Sequence, residues 1–176
     1  MIRGTPVTDE QSQQTLGLLS GILPEPDTGA IVGFFVATRG FGHPLFLQSS
    51  DILSWGTRVH VRDADRLAPA GELIRVAKII EYGRPVLGQR IVAKSGAVLG
   101  TCSDVQFDTR HFQLEWLFPK RFFLERLPIP ASDILEVTKY EIVVRDPLKP
   151  KPLADAIGEE AVKVLGEVAP SAPAAS

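Results

Sequence analysis

The sequence predicts an all-β-dominated chain: two tandem small antiparallel β modules, a short linker between them, and a carboxyl-terminal helix or flexible tail. Three observations carry this reading. Blocks of sequence recur at nearly one displacement: Ser50–Leu53 matches Ser132–Leu135 82 residues later, while Leu16-Gly17 and Val61-Arg62-Asp63 match Leu99-Gly100 and Val144-Arg145-Asp146 at 83. Short runs alternate apolar and polar residues with a period of two, as a sheet with one face on a core requires. Glycine and proline punctuate those runs where hairpins would turn.

Ile2–Val7 reads as a short extended segment before the polar run Asp9–Gln14. Leu16–Leu23 and its counterpart Val98–Phe107 read as glycine-interrupted strands, in which a glycine marks a bulge or tight bend. Ala30–Thr38 is β-branched and aromatic, turns through Arg39–Pro44 and returns at Leu45–Leu47. In the second copy Phe112, Leu114, Trp116 and Phe118 alternate with Gln113 and Glu115; Pro119-Lys120 turns the chain and Phe122–Leu127 returns it. Asp51 and Asp133 each follow a serine and precede Ile-Leu. Capping or supporting a short helical turn, with the following aliphatics inward, is the reading favoured over chemistry. Thr57–Arg62 and Glu141–Arg145 close the modules.

Arg66–Gly71 breaks regular structure, and Glu72–Tyr82 reads as a short linker helix or turn, Leu73, Val76 and Ile80 forming its stripe, or as a strand. The boundaries are 1–69 for the first module, 70–85 for the linker, 86–148 for the second module and 149–176 for a Pro/Ala-rich tail with a helical pattern over 153–168.

A net charge of −2, from 19 Lys and Arg against 21 Asp and Glu, is not the footprint of a chain held mainly by nucleic acid or an anionic bilayer. No run approaches the roughly 20 apolar residues of a membrane span, and the amino terminus shows no signal peptide, so the expected location is the cytoplasm, with docking at the periphery of a membrane complex as a variant. The single Cys102 reads as a structural strand thiol. His43, His60 and His111 fall in no metal-ligand spacing and no phosphate-binding glycine loop is present; neither cofactor nor metal is expected, and an enzyme is the least supported class.

Gly88, Leu99-Gly100, Phe107-Asp108, Leu127-Pro128-Ile129, Asp133-Ile134-Leu135 and Val143-Val144 together resemble the PRC-barrel family, the small β-barrel module of photosynthetic reaction-centre and ribosome-maturation proteins. Gly4, Gly17 and Asp27 are the corresponding marks of the first half, where the prolines are missing. The resemblance covers about Ile2–Asp63 and Val86–Asp146. It implies that the two modules are small, strongly curved antiparallel β-barrels, and it implies protein–protein or assembly work. The expected function is therefore a non-catalytic binding or docking module whose partner is another protein or a macromolecular complex, with an RNA- or ribosome-associated adaptor as the alternative. Trp116, Lys120, Arg121, Phe122, Phe123 and Arg126 are the candidate contact residues, because aromatics rimmed by basic side chains suit an interface.

Overall fold

The computed structural model describes residues 2–40, 42–121, 124–125 and 127–146. Strands dominate them, in two sheets of seven strands, one from each half of the repeat. The first half supplies β1 (Pro6–Asp9), β2 (Thr15–Pro24), β3 (Ile31–Ala37), β4 (Leu45–Gln48), β5 (Ile52–Trp55), β6 (Val59–Val61) and β7 (Leu67–Ala68). Helix α1 (Ile74–Tyr82) follows. The second half supplies β8 (Arg90–Ala93), β9 (Val98–Asp108), β10 (Gln113–Arg121), β11 (Leu124–Glu125), β12 (Ile129–Pro130), β13 (Ile134–Val137) and β14 (Glu141–Val144).

The strand orders coincide over five strands and differ only beyond β3 and β10. The first sheet runs β5-β6-β1-β2-β3-β4-β7 and the second β13-β14-β8-β9-β10, with both β11 and β12 on the far edge of β10. Each sheet contains one parallel pair at the same place, β1 with β6 and β8 with β14, among antiparallel neighbours. The likeness extends to single hydrogen bonds. Gly4 N–H donates to Leu19 O and Gly88 N–H to Cys102 O, both at 2.8 Å, from glycines with φ of 89° and 80°. Gly17 and Gly100 lie where the chain crosses its neighbour. A Cβ there would sit 2.6 Å from Ala37 O and 2.7 Å from Lys120 O, so both positions exclude a side chain for the same reason.

One hydrophobic core serves both halves. Phe34, fully buried on β3, places its ring 5.0 Å from Trp55, 5.6 Å from Phe107 and 6.1 Å from Phe112, so rings from both halves meet in one cluster. Beside it the tips of the two long hairpins pair through the antiparallel bridge Ala30–Gln113. Ile31 N–H donates to Phe112 O at 2.6 Å and Leu114 N–H to Gly29 O at 2.9 Å. A displacement of 83 residues maps Gly29, Ala30 and Ile31 onto Phe112, Gln113 and Leu114, so the two bonds exchange and the junction has local two-fold pseudosymmetry. Gly29 and Phe112 both adopt left-handed backbone, with φ of 71° and 51°. Glycine does this freely, whereas a phenylalanine is strained there and is held by its carbonyl bond and ring contacts.

Several local expectations are corrected. β-Bulges leave Leu53 and Leu135 unpaired, and both are exposed rather than inward; only the preceding Ile52 and Ile134 pack on the core. The segment expected to break structure contributes β7, whose Leu67 pairs with Leu47. Helix α1 buries Val76 and Ile79 and leaves Ile80 exposed, so its buried face is rotated from the predicted stripe. Asp51 and Asp133 end three-residue 3-10 turns (Ser49–Asp51 and Ala131–Asp133) but cap neither. Their carboxylates lie 3.6 Å from Arg66 Nη1 and 3.4 Å from Arg145 Nη1, tying each turn to a basic side chain beyond the next two strands. The predicted tail, 149–176, lies outside the described residues.

Candidate functional site

The second long hairpin is the region where sequence and structure differ most usefully. Strict alternation from Leu114 would turn Trp116 inward. Instead Leu114 pairs with Phe107 and Trp116 with Gln106, which leaves Glu115 as an extra residue and resets the phase of β10. Leu117 and Pro119 then face the core. Trp116, Phe118 and Lys120, at i, i+2 and i+4, share the opposite face. Trp116 is 38% exposed, Phe118 is half-buried, and Lys120 and Arg121 are exposed.

Neighbouring strands fix this face. Gln106 Nε2 donates to Glu115 Oε2 at 3.0 Å, holding the bulge beside the tryptophan, and Ser103 Oγ donates to Phe118 O at 2.9 Å. Pro130 of β12 flanks Trp116 on its other side, and Lys120 stands between Thr101 and Glu125. A groove of about 490 Å³ adjoins Phe118 and Pro119, and Trp55, Phe107 and Pro128 contribute to its lining. The resulting surface is aromatic at its centre, with polar neighbours and cationic side chains at one end. Phe122, Phe123 and Arg126, the remaining candidates, lie outside the described residues.

The titratable groups lend themselves less to chemistry. Glu10 Oε2 lies 3.5 Å from His60 Nδ1, and Thr8 is the register partner of His60, an order reminiscent of acid, base and nucleophile. Thr8 is fully buried, however, so its hydroxyl meets no substrate. His111 Nδ1 bonds to Asp108, whose carboxyl is held below the usual range first by the Arg110 backbone N–H and then by that imidazole. Both partners belong to a hairpin turn. Burial pushes the Cys102 thiol up to about 12, the condition of an inert strand residue rather than a nucleophile. Among the described residues no group of three or more His, Cys, Asp or Glu is placed to hold a metal ion. No helix among them is long and apolar enough to cross a membrane.

No family model and no curated protein matches this chain. Geometry therefore carries the functional argument. Sequence reasoning found Trp116, Lys120 and Arg121 but missed the reason they emerge together, because the bulge at Glu115 has no signature in a run that otherwise alternates. It also missed Trp55 and Phe107 as walls of the adjoining groove. Their relationship depends on how the two halves pack.

Proposed function

We propose that the chain is a non-catalytic assembly module, built from two tandem PRC-like barrels, that docks onto another protein through the outward face of β10. The observation that carries this reading is the bulge at Glu115, which brings Trp116 to the surface beside Phe118 with Lys120 on the same face. A tryptophan with two torsions and a large apolar surface is an effective binding anchor, and adjacent cations orient an incoming partner. Support for the tandem-barrel reading comes from the shared strand order, the matched glycine turns and the common core. The partner is a component of a larger complex in the cytoplasm or at the periphery of a membrane.

Trp116→Ser should reduce retention of the partner at least tenfold, the effect of removing an interface anchor, with far-ultraviolet circular dichroism and melting temperature unchanged. Lys120→Ser should act mainly on association rate and should matter less at high salt. The measurement is quantitative co-purification of the tagged chain from nuclease-treated extract at two salt concentrations. Undiminished recovery of every protein with Trp116→Ser contradicts the proposal. Loss of all partners on nuclease treatment transfers the reading to an RNA-bound adaptor.

A further inference from the structure

Residue Arg84 occupies a position that the docking reading does not use. Helix α1 ends at Gly83 in left-handed backbone, φ 62°, and the chain then turns through Arg84 and Pro85 toward the second half. The Arg84 guanidinium grips Asp27, in the hairpin tip of the first half, with two parallel bonds: Nη1 to Oδ1 at 2.7 Å and Nη2 to Oδ2 at 2.6 Å. Nη1 also donates to Val137 O, at the end of β13 in the second half, at 3.4 Å. At the other end of the helix Arg75 Nη2 donates to Glu25 Oε2 at 3.0 Å, on the same hairpin tip.

The Arg84 contacts join residues that line a groove of about 350 Å³. Asp27 and Gly29 line one wall, Ile134 and Val137 of the edge strand β13 the other. Arg84 is bonded to both walls. Its fork geometry matches a carboxylate in a way a lysine ammonium cannot. We propose that Arg84 is a clasp that holds the two halves together across this groove, and that its release opens the molecule along β13. Glu136 is a second carboxylate near the Arg84 guanidinium, whose Cζ lies 6.0 Å from the centroid of the Tyr82 ring, while Arg75 of α1 pairs with Glu25 on the same tip. The Asp27 side chain is 65% exposed, so solvent and ions reach the pair and the clasp can be undone without unfolding the core.

Hydrogen exchange of the full chain tests this. Arg84→Ala should accelerate exchange of the Gly29 and Ile31 amides and of the β13 amides about three- to tenfold, a local opening, while the Leu117 amide in the middle of the second sheet keeps its rate. Arg84→Lys should behave like Arg84→Ala, and Asp27→Ala combined with Arg84→Ala should add little to either alone. Unaltered exchange at Gly29, Ile31 and β13 overturns the clasp. So does uniform acceleration that includes Leu117, which marks a loss of global stability, and so do fully additive single effects.

Discussion

Phe34→Ala should cost about 3–5 kcal/mol, enough to consume a large part of an ordinary domain's stability. The ring is fully buried and touches Trp55 from its own half and Phe107 and Phe112 from the other. Its removal leaves a cavity whose lining belongs to both sheets. Collapse around it would have to move two hydrogen-bonded ladders and the hairpin-tip bridge, so little relaxation is available. The loss should therefore appear in the unfolding of the whole β region as one transition. Urea melts followed by tryptophan fluorescence and by far-ultraviolet circular dichroism provide the check. Two separated transitions, with the second half retaining its original midpoint, would show that the halves do not depend on a common core.

The second large effect is expected at Gly33. A Cβ there would lie 2.2 Å from Leu47 O and 2.6 Å from the Phe46 ring. The first neighbour is backbone of the adjacent strand and the second a fully buried side chain, so neither can step aside cheaply. Gly33→Ala should destabilise by about 3 kcal/mol or more, at the upper end of overpacking. Gly71→Ala is the control: nothing lies within 4 Å of its Cβ position, and the change should stay within about 0.5 kcal/mol. Equal melting midpoints for the two variants would show that β3 and β4 are not packed this closely.

Much of the architecture was legible in the amino-acid sequence, and the reason is the repeat. Leu16-Gly17 against Leu99-Gly100 placed corresponding strands. Ser50-Asp51 against Ser132-Asp133 located both 3-10 turns. What escaped were features that depend on register and long-range packing. A bulge adds one residue without changing composition, so Leu53, Glu115 and Leu135 gave no local warning that the alternation would be reset beside them. The Asp27–Arg84 grip joins residues 57 apart with no periodic signal between them. The tip-to-tip bridge was hidden for a related reason: Gly29 and Phe112 share a backbone conformation that their side chains do not suggest. Of the candidate site, the residue types were readable, but the outward turn of Trp116 was not.

The docking face exists only if Trp116 points away from the core. The chain has two tryptophans, so Trp55→Phe leaves Trp116 as the sole indole reporter and Trp116→Phe leaves Trp55. Acrylamide and iodide quenching of the two single-tryptophan proteins is the most direct test. An outward Trp116 gives red-shifted emission and ready quenching by both agents, and half-buried Trp55 in the ring cluster gives bluer emission that is quenched less. Shielded, blue-shifted emission from Trp116 in the free protein would place it in the core and remove the docking face.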